Sequence, residues 1–172
     1  MTYLEELFSL LGSQAIITGA ARGNGRAIAS ALLRAGAEAM LVDVEEELLA
    51  RTVKELRKEG LEAHGMCCDL ADENQVEKLA ADTADKLSHL SIIVNNAGVT
   101  FPGKFLEYSK VNWDLTYRVN LRAPFLLSRG LAPLLAKSDN GVIINITSLN
   151  AELAFPDNPA YIAFKGALRQ LT

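Results

Sequence analysis

The chain has 172 residues, of which 49% are hydrophobic and 22% charged, so a folded globular protein is expected and disordered or fibrous classes are excluded. Its net charge of −4 argues against nucleic acid as the main partner, because phosphate backbones bind basic surfaces. The sequence has no run of about 18 apolar residues, and its first residues are acidic rather than basic. We therefore expect one domain over 1–172, no membrane association and a cytoplasmic location.

Short apolar runs rich in β-branched residues alternate with longer amphipathic stretches, which is the pattern of parallel βαβ units. The predicted strands are 14–18, 39–43, 62–67, 91–95 and 142–147. The predicted helices are 25–34, 45–58, 73–87, 111–137 and one that begins near Ala160, with Asp72 capping the third of them. These elements predict an α/β fold, a doubly wound parallel sheet with helices on both faces and a ligand crevice at the carboxyl ends of the strands.

A glycine-rich segment joins the first predicted strand to its helix. In this context the backbone N–H groups and the positive end of the helix can face a phosphate. Gly19 would permit the turn, Gly23 would admit the pyrophosphate, and Gly25 would let the helix pack near the sheet. The predicted cofactor-binding residues of this segment are Thr18, Gly19, Arg22, Gly23, Asn24 and Gly25. A purely structural glycine turn is the alternative.

An acidic residue, Asp43, ends the second predicted strand, 18 residues after Gly25. A carboxylate there can accept hydrogen bonds from both hydroxyls of the adenosine ribose, and it would repel a 2′-phosphate. Arg22 points the other way, because it could reach such a phosphate from the loop. The sequence therefore favours NAD as the cofactor and makes NADP the less favoured one.

Further motifs accompany the spacing Thr-Gly-x-x-x-Gly-x-Gly: Asn95-Asn-Ala-Gly98, Asn120, Ser148 and Tyr161-x-x-x-Lys165. Together they resemble the short-chain dehydrogenase/reductase family over essentially the whole chain. Among its members, the segment Phe8-Ser9-Leu10 and the Asp43 terminus resemble gluconate-type dehydrogenases and 3-oxoacyl reductase-like enzymes. The resemblance implies a Rossmann-like fold in which further residues support the nucleotide, namely Asp69 and Leu70 at the adenine and Asn96, Ala97 and Gly98 beside the central sheet. Asn24 departs from the family's usual aliphatic residue, and we expect it to alter packing under the loop.

The resemblance also implies a catalytic set of Asn120, Ser148, Tyr161 and Lys165. Tyr161 would exchange a proton with the substrate oxygen, and Ser148, 13 residues earlier, would hold and polarise the carbonyl. Residues four apart share one face of a helix, so the Lys165 ammonium can favour the Tyr161 phenolate and can also bind the nicotinamide ribose.

Asn120 lies inside the predicted helix 111–137, where asparagine is a poor helix former. Pro124, four residues later, lacks the N–H that would bond the carbonyl of residue 120. We predict that this free carbonyl binds an ordered water linked to Lys165, which would complete a proton relay.

The expected function is the interconversion of a secondary alcohol and a ketone with NAD(H) on a small-molecule substrate, by a homo-oligomer (dimer or tetramer) that assembles through its late helices. The alternatives are a nucleotide-sugar epimerase or dehydratase, which the glycine spacing disfavours, and a nucleotide-binding or interaction protein without turnover. No metal site is expected. The neighbours Cys67 and Cys68 are expected to be structural, and His64 and His89 to have no catalytic role.

The chain stops at Thr172, seven residues after Lys165. Members of the family usually continue for further elements, so we expect the family's last strands to be lacking. The expectation that follows is a fragment or truncated product with weak turnover, in which strand 142–147 forms an exposed apolar edge.

Overall fold

Residues 3–172 are described by a computed structural model in which five strands and seven α-helices alternate along the chain. The strands are β1 (Gln14–Thr18), β2 (Glu38–Asp43), β3 (Ala63–Cys67), β4 (Ile92–Asn95) and β5 (Val142–Asn145). The helices are α1 (Tyr3–Phe8), α2 (Gly23–Arg34), α3 (Glu46–Lys58), α4 (Glu73–Lys86), α5 (Lys110–Tyr117), α6 (Ala123–Leu135) and α7 (Pro159–Leu171). A π-helical turn over Arg118–Arg122 joins α5 to α6, and 3-10 turns cover Phe105–Glu107 and Leu149–Ala151.

The five strands form one parallel sheet in the order β3-β2-β1-β4-β5. The chain order reverses between β1 and β4, which places the switch point of a doubly wound sheet at the end of β1. The predicted α/β fold with a Rossmann-like parallel sheet is confirmed.

Two apolar clusters cover the two faces of this sheet. Ile17 of β1 packs in a cluster with α2 and α3, whereas the adjacent Ile16 packs in a second cluster with α4 and α6. Successive strand residues point to opposite faces, so a central strand without hydrophobic alternation is buried on both sides. No helix in residues 3–172 is long and apolar enough to cross a membrane.

The helix ends follow local sequence signals. Asp72 caps α4 as predicted, its carboxylate accepting hydrogen bonds from the backbone N–H groups of Asn74 and Gln75. Gly36 and Gly60 follow α2 and α3 with positive φ angles of 104° and 79°, a conformation that favours glycine.

Two predicted elements have the wrong extent, and one helix was not predicted. Helix α1 was not foreseen, and β5 ends at Asn145 instead of residue 147. Val142 and Ile144 of β5 are 42% and 40% exposed, in agreement with the expected apolar edge, because β5 is an edge of the sheet formed by the described residues. The single helix 111–137 is interrupted by the π-helical turn, in which the N–H of Ala123 bonds the carbonyl of Arg118, five residues earlier.

Candidate active site

A crevice of about 460 Å³ opens at the carboxyl ends of the strands, at the switch point of the sheet. Eight of the residues predicted to bind the cofactor line it: Gly19, Arg22, Asp43, Asp69, Leu70, Asn96, Ala97 and Gly98. Six further lining residues were not predicted to bind the cofactor: Val44, Glu45, Cys68, Val99, Leu115 and Val119. The crevice therefore has an acidic end near β2 and an apolar end near the π-helical turn.

The glycine loop has little room for side chains at two of its three glycines. Gly19 has a φ of 64°, and a Cβ there would lie 2.8 Å from the Cα of Ala97. A Cβ on Gly25 would overlap the carbonyl oxygen of Gly19. Gly23 has a φ of 57° and open space around it, as expected of a position that a bulky anion can approach.

Hydrogen bonds of the Thr18 and Asn96 side chains connect this loop to the segment after β4. The Thr18 hydroxyl oxygen accepts hydrogen bonds of 3.1 Å from the backbone N–H groups of both Asn96 and Ala97. The Asn96 amide donates in return to the carbonyls of Thr18 and Gly19 at 2.9 and 3.1 Å. Both side chains thus hold the glycine loop against the end of β4, a role that the glycine pattern alone does not reveal.

Asn24 is exposed in the first turn of α2. The expectation that it alters packing under the loop is therefore wrong, because the position faces outward once the helix begins at Gly23 rather than at Gly25.

The acidic end of the crevice is built around Asp43. Its two carboxylate oxygens accept hydrogen bonds from the backbone N–H groups of Ala21, at 2.9 Å, and Glu45, at 3.1 Å. Arg22 forms an ion pair of 2.9 Å with the Glu45 carboxylate. Arg22, which the sequence suggested could bind a 2′-phosphate, is thus already paired with a carboxylate, Glu45, that was not predicted at this site.

Asp69 and Leu70 follow β3 at the same end of the crevice. The Asp69 carboxylate accepts a 2.9 Å hydrogen bond from the N–H of Ala71, which fixes the turn after the strand. Cys68 beside them is buried, and this burial is the main reason that the pKa of its thiol is raised to about 11. Cys68 is therefore a neutral thiol near pH 7, in keeping with a structural role.

Tyr161 lies in the first turn of α7 and Lys165 one turn later, and neither residue is among those that line the crevice. Lys165 is only 3% exposed, and its ammonium donates a 2.6 Å hydrogen bond to the carbonyl of Ile146. Its Nζ lies 5.7 Å from the centre of the Tyr161 ring, and a Cβ built on Gly98 would be 3.5 Å from that Nζ. Burial lowers the pKa of Lys165 to about 8.

Aromatic packing fixes α7, the helix that carries this pair. The ring of Phe164 contacts Trp113 edge-on with a centroid distance of 4.9 Å, and it contacts Tyr117 at 5.5 Å. Because Phe164 precedes Lys165, this cluster holds the lysine backbone against α5. The separation of more than forty residues between the partners leaves no local signal for this contact.

Asn120 is fully buried in the π-helical turn. Its side-chain amide donates a 2.9 Å hydrogen bond to the carbonyl of Val99, and its side-chain oxygen accepts one of 2.8 Å from the N–H of the same residue. The side chain thus clasps the backbone just after β4. The relay through the Asn120 carbonyl and a water remains a prediction.

Ser148 does not directly follow the fifth strand, as the predicted range 142–147 implied, because β5 stops three residues earlier. It instead begins the 3-10 turn that follows, where its hydroxyl oxygen accepts a 3.2 Å hydrogen bond from the N–H of Asn150. Its O–H proton remains available to donate. Within residues 3–172, no direct hydrogen bond joins Ser148 to Tyr161 or to Lys165.

Comparisons with known proteins agree with this geometry. The family model for short chain dehydrogenases matches residues 13–172. A gluconate 5-dehydrogenase from Gluconobacter oxydans is 35% identical over 167 residues, which cover 97% of this chain and 65% of that protein. The chain spans about 65% of the length of the curated relatives that it matches.

Two solved structures are similar along nearly the whole chain. A gluconate 5-dehydrogenase from Burkholderia cenocepacia, in complex with NADP and tartrate, has a TM-score of 0.91 at 34% identity, covering 99% of this chain and 67% of its own. A short-chain dehydrogenase/reductase from Burkholderia phymatum, in complex with NAD, has a TM-score of 0.89 at 34% identity, covering 95% and 58%. Similar folds thus bind either dinucleotide.

Proposed function

The chain belongs to the short-chain dehydrogenase family, and on this premise we propose that it interconverts a secondary alcohol and a ketone by hydride transfer, with NAD(H) as cofactor and Tyr161 as general acid/base. The family is one of oxidoreductases. The observation that carries the finer proposal is the buried Lys165, one helical turn from Tyr161 and against the crevice wall at Gly98.

Lys165 would supply the positive charge that favours the phenolate form of Tyr161. A tyrosine has an ordinary pKa of about 10 and is a weak base near neutrality. A nearby ammonium favours the phenolate, and an ammonium with few water neighbours acts more strongly than an exposed one. The bound cofactor would supply the hydride, while Tyr161 would exchange the proton and Ser148 would donate a hydrogen bond to the substrate oxygen.

The first test is Tyr161→Phe, which removes the hydroxyl and little volume. We expect turnover of a panel of ketones with NADH to fall by at least about a hundredfold, the typical contribution of a general acid/base, with NADH affinity unchanged. Tyr117→Phe is the matched control, because it makes the same change on α5. Near-normal turnover in Tyr161→Phe would contradict the proposed role.

The preference for NAD is proposed from the acidic end of the crevice. A 2′-phosphate placed there would meet the Asp43 carboxylate, while Arg22 is already paired with Glu45. Because a relative has been solved with NADP, the test compares the Kd values of NADH and NADPH. We expect tighter NADH binding, and a preference that narrows or reverses in Asp43→Ala but not in the exposed control Asp85→Ala. Equal affinities in the unmodified chain would rule out the preference.

We also propose that the protein assembles as a homo-oligomer through α5 and α6. Val111 on α5 and Phe125 on α6 leave large apolar side chains exposed. Exposed apolar surface on neighbouring helices can mark a protein–protein contact, and most soluble homo-oligomers are closed symmetric assemblies. Sedimentation equilibrium should show a dimer or tetramer that Phe125→Asp weakens, and a monomer at all concentrations would overturn the assignment.

A further inference from the structure

Two loops at the carboxyl edge of the sheet are joined to each other beside the proposed catalytic residues. The first, residues 99–109, follows β4, and the second, residues 149–158, lies between Ser148 and the helix of Tyr161. The side-chain amide of Asn158 donates a 2.7 Å hydrogen bond to the Thr100 hydroxyl, and the N–H of Gly103 donates one of 2.8 Å to the carbonyl of Asp157. These paired loops therefore flank the entrance to the site together.

The paired loops carry an unusual amount of exposed apolar surface. Single exposed apolar residues are ordinary, but here five large ones occur within the two short segments. They are Phe105, Leu106, Leu149, Leu153 and Phe155, each 48–94% exposed. The crevice is also apolar on the side of these loops, where Val99, Leu115 and Val119 line it.

The charges of the paired loops are unfavourable for an anion. One lysine, Lys104, stands against three carboxylates, Glu107, Glu152 and Asp157, which leaves the two loops with a net charge of −2. Arg169 of α7 lies beside the second loop, where it forms a 3.2 Å ion pair with Glu152. A substrate carboxylate would leave water to face this acidic surface, where the exposed Lys104 is the one cation of the two loops and the Lys165 ammonium is already hydrogen-bonded to the Ile146 carbonyl.

We infer that this site takes a neutral, mainly apolar secondary alcohol or ketone rather than a hydroxy or keto acid, an inference that rests on the proposed function. The apolar side chains of the paired loops contact the substrate body, and Ser148 and Tyr161 bind its single oxygen. Hydrocarbon surface removed from water supplies the affinity.

Two probes that differ by one methyl group and one negative charge test the charge preference: methyl 3-oxocyclohexanecarboxylate and its free acid, each reduced with NADH. The ester should have a kcat/KM at least about tenfold higher than the acid, since like charges across a binding site are disfavoured. Leu149→Lys should narrow this ratio, whereas Leu11→Lys, an equally exposed position before β1, should leave it unchanged. An acid used as well as the ester, or an acid activity that Lys104→Ala abolishes, would overturn the inference.

A binding measurement separates this inference from the proposed function. Saturation-transfer NMR on the protein–NADH complex reports whether the ester and the acid bind, whether or not they react. Stronger binding of the ester without turnover supports the inference and contradicts the proposed reaction. Equal turnover of both probes contradicts the inference alone, and failure of the ester to bind contradicts it as well.

Discussion

Replacing Asn120 tests whether its side chain holds the backbone after β4. The side chain of Asn120 is fully buried. Asn120→Ala would remove the 2.8 Å partner of the Val99 N–H and the 2.9 Å partner of the Val99 carbonyl. A buried backbone group without a partner costs about 1–3 kcal/mol. Alanine recovers about 0.5 kcal/mol as the better helix former. With both Val99 groups unpaired and that gain subtracted, the expected loss in the free energy of unfolding is about 1.5–5.5 kcal/mol.

The stability of Asn120→Asp should depend on pH in a direction that the same contacts predict. A protonated aspartic acid has the shape of asparagine and can both donate to the Val99 carbonyl and accept from the Val99 N–H, whereas a carboxylate would face that carbonyl with a buried charge. The folded state should therefore raise the pKa of Asp at this position. Because a raised carboxyl pKa contributes stability only while the group is protonated, the variant should be near wild type at pH 4 and markedly destabilised at pH 8.

Urea unfolding followed by circular dichroism measures both variants, with Asn74→Ala as the matched control. Asn74 is exposed on α4, and its replacement should change the free energy of unfolding by less than about 0.5 kcal/mol. Hydrogen exchange adds a local reading, since the Val99 amide should lose protection in Asn120→Ala. If Asn120→Ala were as stable as the Asn74→Ala control, the clasp would contribute nothing and the reasoning would be refuted.

Three other substitutions follow from the geometry of the site. Between pH 8 and the ordinary pKa of 10.5, Lys165 carries more protons in the unfolded chain than in the folded one, so the free energy of unfolding rises with pH. Measured by urea unfolding, the wild type should therefore gain about 2–3 kcal/mol of stability relative to Lys165→Met between pH 7 and pH 10. A stability difference that does not change with pH would contradict the lowered pKa. Gly25→Ala overlaps the loop backbone and should weaken NADH binding at least about tenfold by fluorescence titration, whereas Gly166→Ala meets only one atom within 4 Å and should not. Arg22→Ala removes an exposed ion pair and should shift the free energy of unfolding by less than about 1 kcal/mol.

Local patterns in the sequence were enough to predict the fold. Strand β1 coincides with its predicted range 14–18, because a short apolar run followed by a glycine turn defines both its ends. The parallel order follows from the alternation of strands and helices, since parallel neighbours need a crossover helix. Gly36 and Asp72 fix the helix ends beside them, because capping depends on residues that are adjacent in the chain.

What the sequence did not predict depends on contacts between distant segments. Glu45 reaches Arg22 across 23 residues, and this pairing changes how the loop would meet a phosphate. Ser148 lies beyond the strand because β5 loses its regular pairing after Asn145, its last residue opposite β4. The Lys165 ammonium reaches the Ile146 carbonyl across 19 residues, and no motif marks that acceptor.

The π-helical turn links the two ends of the crevice. Arg122 donates a 2.8 Å hydrogen bond to the carbonyl of Ala71, next to the predicted adenine residues, and pairs with Glu73 at 3.2 Å. Two residues earlier, Asn120 holds Val99 beside the predicted catalytic lysine. In a regular α-helix residues two apart point to nearly opposite sides, so a locally widened turn changes which loops both side chains can reach.

Pro124 therefore has a structural consequence beyond the loss of one hydrogen bond. Its missing N–H disfavours the regular α-helical pattern at the turn, where the N–H of Ala123 already bonds five residues back. The same turn lets Asn120, a poor helix former, satisfy both of its side-chain groups on Val99 instead of competing with the helix backbone. The sequence predicted a free Asn120 carbonyl at Pro124 within a single helix over 111–137, and the folded chain instead has a π-helical turn there, which joins the loops after β3 and β4 through one short segment.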